Sequence, residues 1–400
     1  MSLEEIQKIS VSTPSKIVFF IIDGLGGLPD PATGMSELEV AATPRLDRLA
    51  GEGMCGLADP VSPGITPGSC PGHLALFGYD PLRFVIGRGV VEALGVDFAL
   101  GPADIAARGN FCTVDAQGII SDRRAGRIST EKCAELCTLL SDIGLEGMEL
   151  FVRPVRGHRF LLVLRGRALS SGLADSDPER TGVPPHAVTA VTPQGEPTAG
   201  AVRHFVEEAQ RRLECHHPAT GVLLRGFSQL PQIPSMSQVY KVRALAIVGY
   251  PTYKGLARVL GMDIVYSPGG VVEELALVRD NYHKYDFFYV HCKDADTAGE
   301  DGDFQRKVRV LEDVDRNVSP LLELRPDVLV VTGDHSTPAM LKGHSWHPVP
   351  LILHSRWGFP SGVGKFCERA CAQGSLGRLP SLHVMPLAMA HALKLAKFGA

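Results

Sequence analysis

The chain has no surplus of positive charge: 40 lysines and arginines stand against 44 aspartates and glutamates, a formal net charge of −4. A surface that holds a nucleic-acid backbone or an anionic membrane needs the opposite balance, so neither is expected as a partner. No apolar stretch approaches the roughly 20 residues of a membrane-spanning helix. The opening MSLEEIQKIS is acidic and polar, where a secretory leader is basic and then apolar. A cytoplasmic protein is expected. A disulfide framework is also missing, because the nine cysteines are odd in number and spread over 400 residues. Cys133 with Cys137, and Cys367 with Cys371, fall at helical i, i+4 spacing and are expected to be reduced core thiols. Cys215-His216-His217 has no companion at ligand spacing and reads as a surface loop. The glycines of DGLGGLPD lack the third member of a dinucleotide-binding fingerprint: Pro29 stands in its place, and Asp23 would repel a pyrophosphate. No internal repeat, low-complexity tract or charge block is present.

What remains is a globular composition, 44% hydrophobic and 21% charged, on a chain longer than one compact core usually takes. Two domains, or one domain with a large insertion, are expected. An α/β rhythm opens with the apolar run KIVFFII (Lys16 to Ile22) and a helix over Pro44 to Glu52. It resumes with VRALAIVG, a helix over YKGLARVLGM, the strand YDFFYVHCK, one helix from about Phe304 to Leu324, DVLVVTG, PLILHS and a C-terminal amphipathic helix. Between these, short alternating segments such as FLLVLRG and GVLLRGF are split by turn-rich loops. The pattern predicts an α/β core formed by residues 1–84 and 238–400, with a smaller α+β domain inserted at 85–237.

Polar, ligand-type residues recur at the ends of apolar strands. Asp23 follows the first; Ser69 sits in PGSCPGH; Asp296 and Glu300 lie in HCKDADTAGEDGDF; Asp334, His335 and His344 follow DVLVVTG. Singly each has a plain structural role: Asp23 or Asp296 as a helix cap, Ser69 as a turn residue, either histidine as a satisfied loop group. Together they exceed the 3 or 4 protein ligands, about, that one divalent cation takes, and so suit two. A serine hydroxyl attacks phosphorus only with help, and coordination to a cation supplies it, which makes Ser69 the candidate nucleophile. Cys70 competes for that role, but thiolate chemistry has no need of the carboxylates and histidines.

A second signal is SDRRAGRIS, where Arg123, Arg124 and Arg127 are close enough for two forks to converge on one anion. Guanidinium groups bind phosphate and carboxylate in bidentate fashion, so a small phosphorylated carboxylic acid would suit them. A solvated arginine cluster is the alternative. Arg225 and Lys254 are weaker candidates for the same task.

The stretches DGLGGLPD, TPGSCPGHLALFGYDP, GNFCTVDAQGIISDRRAGRI, KDADTAGEDGDF and VVTGDHSTP with GHSWHPVP resemble the motifs of archaeal-type, cofactor-independent phosphoglycerate mutases of the alkaline phosphatase superfamily. The likeness is spread over most of Lys16 to Pro350. It implies an alkaline-phosphatase-like three-layer core sheet and interconversion of 2-phosphoglycerate and 3-phosphoglycerate through a phosphoserine, in glycolysis and gluconeogenesis. It also implies two divalent ions, Mn2+ or Mg2+, and no 2,3-bisphosphoglycerate. Carried over, Asp23, Ser69, Asp334 and His335 would hold one ion, and Asp296, Glu300 and His344 the other. His73 would assist substrate binding, and His347 would be a supporting or loop residue. Many members have histidine where this chain has Glu300, which favours harder ions here; Asp301 and Asp303 are rival ligands at that place. Closure of the insertion would keep water from the phosphoserine. The oligomeric state is left open. The rival readings are a metal-dependent phosphatase or a mutase for another phosphorylated metabolite, and a catalytically silent metabolite-binding homologue.

Overall fold

All six residues of β1 (Ile17–Ile22) are buried, so the strand has no solvent face and its sequence shows no alternation. In the computed structural model, which describes residues 2–399, the chain divides into unit 1 (Met1–Val85 and Ile233–Ala400) and unit 2 (Ile86–Gln232). The strands in chain order are β1 and β2 (Met54–Asp59) in unit 1; β3 (Ile105–Val114), β4 (Ile120–Asp122), β5 (Met148–Arg156), β6 (Arg159–Gly166) and β7 (Gly221–Ser228) in unit 2. Unit 1 resumes with β8 (Ala244–Val248), β9 (Asp263–Tyr266), β10 (Phe287–Cys292), β11 (Val328–Thr332), β12 (Val349–Ser355) and β13 (Gly377–Pro380).

Unit 1 is built on an eight-stranded sheet in the order β13-β2-β12-β11-β1-β10-β8-β9, with β1 parallel to both β10 and β11. Alternate side chains of β1 point to opposite layers. Val18, Phe20 and Ile22 share one core with Leu275 and Val278 of the helix Val271–Asn281 and with Val308 and Leu311 of the helix Phe304–Asn317. On the other face Phe19 lies 6.3 Å from Phe77, the residue that ends the helix Ser69–Leu76. The result is a three-layer α/β/α architecture. Each fully buried phenylalanine of β1 contributes about 2–3 kcal/mol of transfer free energy, and this fixes the strand whose end carries Asp23.

The helix Pro44–Glu52 forms where expected, with proline in its first turn. The single helix expected from Phe304 to Leu324 is instead two, Phe304–Asn317 and Ser319–Glu323. Pro320 has no N–H to donate back into the preceding turn, so the first helix stops and the second starts with proline at its head. The C-terminal helix is short, Val384–His391, and buries Val384, Met385, Ala388 and Met389.

Unit 2 is an antiparallel sheet with β3 paired to β6, β7 and β4, and β5 beside β6. The helices Thr130–Leu140 and Glu196–Leu213 pack on the face bearing Ile105, Ala107 and Phe111; Ala93 of the helix Arg88–Gly95 packs with Ala106 on the other. All nine cysteines are free thiols, seven of them buried, and Cys215 is exposed. Among the described residues no helix is long and apolar enough to cross a membrane.

Candidate metal centre

The parallel register of the sheet brings three polar segments to one place. Ile22 of β1 pairs with Cys292 of β10, and Ile21 with Thr332 of β11. Asp23, Lys293 and the pair Asp334-His335 therefore leave the sheet side by side at the strands' carboxyl ends, where α/β sheets bind ligands. Ser69 arrives differently from expectation. It does not follow a strand directly but is the first residue of the helix Ser69–Leu76, ten residues past the end of β2. That helix can approach because residue 72 is glycine: a Cβ there would lie 2.1 Å from the carbonyl oxygen of Asp334.

The first group of atoms is centred on His335. Its Nε2 lies 3.3 Å from Ser69 Oγ, 3.3 Å from Asp23 Oδ1 and 3.2 Å from Asp334 Oδ2. Both carboxylate oxygens are buried without a hydrogen-bond partner, a costly state for anionic atoms unless a cation completes it. Ligands about 2.1 Å from a tetrahedral ion are about 3.4 Å from one another, close to the spacing found. The donor set of carboxylates, imidazole and hydroxyl fits a hard or borderline divalent ion.

The second group, Asp296, His335 and His344, also offers ligand atoms close together. Asp296 lies in the first turn of the helix Asp294–Glu300 and does not cap it. Its Oδ1 is 3.5 Å from His344 Nε2 and accepts a 2.7 Å hydrogen bond from Thr337 Oγ1. His344 turns Nδ1 to the Pro67 carbonyl at 2.9 Å, leaving Nε2 for Asp296 and for Glu300 Oε1 at 3.8 Å. The rivals of Glu300 are occupied elsewhere: Asp301 pairs with Arg306, and Asp303 caps the helix Phe304–Asn317 through the amide of Arg306. His335 and His344 stack at 3.6 Å, which couples the two groups.

Three buried carboxylates thus face one ammonium. Lys293 Nζ donates to Asp23 Oδ2 at 3.1 Å and to Asp296 Oδ2 at 2.5 Å. Burial works against the Asp23 carboxylate, but Lys293, His291 and His335 more than offset it and hold the group well below the usual range. Burial pushes His335 down, so its imidazole is neutral and able to offer a lone pair. For His344 burial is outweighed by the bonded Asp296 and the Pro67 carbonyl, which hold it up at about 9. Burial, then the Asp296 charge, raises Glu300. The centre draws in positive charge, as a cation site should.

Several expected site residues stand elsewhere. His73 is fully buried among Phe77, Tyr253, Tyr289 and His291, with Nδ1 on the Ser69 carbonyl at 2.8 Å and 3.2 Å from Asp334 Oδ2. It stands behind the ligands instead of facing substrate. Lys254 is half-buried, 5.6 Å over the Tyr266 ring. In unit 2 the expected arginine cluster is divided. Arg123 spends its fork on Asp177, at 2.9 and 2.8 Å, and Arg225 reaches Glu179 at 2.6 Å, while Arg124 and Arg127 are exposed. The AGR turn carries positive φ at all three residues, 45°, 62° and 55°, with Asp122 accepting from the amides of Arg124 and Gly126.

Sequence reasoning missed Lys293, His291, Tyr253 and Thr337 in unit 1. Tyr253 and His291 both bond Asp23 Oδ2, and nothing in their local sequence marks them out except burial on strand or helix faces. It also missed Arg108 and Arg159 in unit 2. Arg108 lies directly across from Arg225 in the β3–β7 register, and like charges so placed repel unless anions intervene. Burial, opposed by Glu92 and helped by Arg159 and Arg88, pushes the Arg108 guanidinium down to about 10. Burial first, then Arg159, Arg108 and Arg124, push His158 down to about 4.

Fold and site define a class: three-layer α/β proteins with a buried carboxylate and imidazole centre that can hold cations against a serine hydroxyl. The family profile of 2,3-bisphosphoglycerate-independent phosphoglycerate mutase matches residues 50–219. A protein of Thermus thermophilus named as a probable enzyme of that kind is 46% identical, with 99% of this chain and 98% of that one covered. A similarly named Aquifex aeolicus protein is 43% identical, with 100% of both chains covered. Among solved structures, the cofactor-independent phosphoglycerate mutase of Thermoplasma acidophilum matches with a TM-score of 0.69 at 32% identity, over 94% of this chain and 100% of that one. A Pyrococcus horikoshii protein matches with a TM-score of 0.84 at 28% identity, over 97% and 100%. The chain belongs to the 2,3-bisphosphoglycerate-independent phosphoglycerate mutase family and is an enzyme of that isomerase class.

Proposed function

We propose that this chain interconverts 2-phosphoglycerate and 3-phosphoglycerate by way of a phosphoserine at Ser69, in the cytoplasm, in glycolysis and gluconeogenesis. The observation that carries the reading is the approach of Ser69 Oγ to His335 Nε2 at 3.3 Å, beside two partnerless carboxylate oxygens. Asp23, Ser69, Asp334 and His335 are assigned to one ion and Asp296, Glu300 and His344 to the other, Mn2+ or Mg2+. When bound, the two ions supply Lewis acidity toward the serine hydroxyl and neutralise phosphoryl oxygens. Ser69 Oγ loses its proton and forms a bond to phosphorus as the bond to the glycerate oxygen breaks, and that oxygen takes up a proton. The glycerate then presents its other hydroxyl, which attacks the phosphoserine and releases Ser69. No 2,3-bisphosphoglycerate enters this balance.

Unit 1 is assigned the phosphotransfer and unit 2 the recognition of the anionic substrate. The field of Arg108, Arg124 and Arg159 on His158 and the strained AGR turn support that division. Arg123 and Arg225 hold Asp177 and Glu179, so the guanidinium groups left for substrate are those of Arg124 and Arg127.

The test is a coupled mutase assay without 2,3-bisphosphoglycerate, after metal removal and after re-addition of Mn2+. Activity should vanish and return. Ser69→Ala should lower turnover on the order of 10⁴-fold or more while manganese uptake survives. Peptide mass spectrometry of the wild type quenched with substrate should place a phosphoryl group on Ser69. Release of inorganic phosphate without isomer would make the protein a phosphatase, and phosphate on Cys70 or a histidine would overturn the mechanism.

A further inference from the structure

Away from the ligands, two charged side chains of unit 1 are completely buried together: Glu37, in the short helix Glu37–Val40, and Lys307, in the helix Phe304–Asn317. Their charges are 4.0 Å apart, too far for a good hydrogen bond. Taking both out of water costs several kcal/mol that such a loose pair does not recover, about the situation in which an apolar replacement is neutral or stabilising. The pair is therefore poorly explained by stability alone.

Its contacts all lead to the two loops that carry the candidate ligands. Lys307 Nζ donates to the carbonyl of Gly26 at 2.9 Å and to that of Thr337 at 2.9 Å. Glu37 Oε1 accepts from the amide of Ala339 at 2.8 Å, and its Oε2 lies against Gly27, where a Cβ would come within 1.9 Å of it. The loop after Asp23 and the loop after His335 are thus gripped from one side by an ammonium and a carboxylate. Between the loops, the Thr337 amide bonds the Gly26 carbonyl at 3.1 Å. Thr337 then passes the constraint on: its Oγ1 donates to Asp296 Oδ1 at 2.7 Å and lies 2.9 Å from His335 Nδ1.

We propose that Glu37 and Lys307 form a buried clamp that positions Thr337, and through its bond to Oδ1 of Asp296 holds the second divalent ion. Lys307 and Glu37 are positioning residues; neither touches substrate. The inference rests on the two-ion reading above.

The test is calorimetric titration of the metal-free full-length protein with Mn2+, together with its melting temperature in the metal-free state. Wild type should take up two ions. Lys307→Met should bind one of them about 10–100-fold more weakly, the range for losing an outer partner of a ligand, and the other within about 2-fold. Lys307→Met alone strands the buried Glu37 carboxylate and should melt lower, whereas Glu37→Gln combined with Lys307→Met removes both charges and should keep the metal-free melting temperature about level while still weakening that ion, which separates positioning from a folding defect. Thr337→Val, which removes the link but leaves the buried pair, should weaken the same ion, and its combination with Lys307→Met should be no weaker than the worse single one. Should Lys307→Met fail to fold, Glu37→Gln and Thr337→Val carry the same comparison. Two ions bound by wild type and by these variants with equal affinity would overturn the clamp but leave the two-ion reading standing. A wild type that takes up no manganese would overturn both.

Discussion

The charged groups of unit 1 and unit 2 are managed in opposite ways. In unit 1, Asp23, Asp296 and Asp334 are at most 1% exposed, emerge from three strands locked by one register, and outnumber the cations around them. In unit 2, arginines sit on strand faces and a loop, and acids reached across some fifty residues of sequence take up the fork of Arg123 and Nη1 of Arg225. Surplus negative charge held rigidly out of water is a site for an ion, and it is costly for folding. Positive charge in unit 2 is instead neutralised by a buried acid: the Asp177 side chain is 0% exposed, and those of Arg123 and Arg225 26% and 13%.

A paired substitution tests that contrast most strongly. Asp334→Asn removes one of three crowded carboxylates, so mutase activity should fall at least on the order of 10³-fold while the metal-free protein melts no lower. Asp177→Asn strands two guanidinium groups instead, and should destabilise the protein by about 3 kcal/mol in denaturant unfolding, with metal uptake unchanged. If Asp334→Asn destabilises the metal-free form and Asp177→Asn does not, the contrast is inverted and the ion-site argument loses its electrostatic basis.

Glu300 sharpens the comparison from within unit 1, because its side chain is 56% exposed while the other candidate ligands of its group are more buried. Glu300→His should keep activity but shift the preferred ion from manganese or magnesium toward cobalt or zinc, by about 10-fold in relative affinity. An unchanged profile across a metal series for Glu300→His and Glu300→Ala would remove residue 300 from the centre.

The smallest effect concerns Glu274, buried in the helix Val271–Asn281 with Oε2 unpartnered. Burial, then Asp294 and Glu273, raise its carboxyl from 4.5 to about 8. The folded state keeps a proton that the unfolded chain gives up, so the stability is full below the unfolded carboxylate pKa and is lost as pH rises through about 8. Glu274→Gln cannot ionise, and should melt about 3 °C or more above wild type at pH 9, with the difference shrinking toward pH 5. A constant offset at both pH values would show that Glu274 does not titrate there.

Much of the unit 1 site was legible because strand ends are legible. A short run of β-branched and aromatic residues such as Ile17 to Ile22 reads as a strand buried on both faces, and the polar residue that ends it emerges at the carboxyl end of the sheet. The same logic placed Asp334 and His335, and Asp296 and Glu300 came with the KDADTAGED stretch. It failed for Ser69, which heads a helix and does not follow a strand, and for His73, whose spacing from Ser69 reads the same whether the ring faces solvent or the core. It failed also for the arginines of unit 2, where SDRRAGRIS gives no sign that Asp177 will claim Arg123.

Which segments form core strands, and that polar ligand-type residues end several of them, was settled within the chain, because backbone periodicity and residue chemistry are local properties. Only the tertiary structure decided which charges are free and which are spent. Lys293 bridging Asp23 and Asp296, Asp177 occupying Arg123, Arg108 facing Arg225, and Lys307 reaching two loops from a distant helix all depend on distances of a few ångströms between residues far apart in the chain, and electrostatic partnership falls off over that same scale.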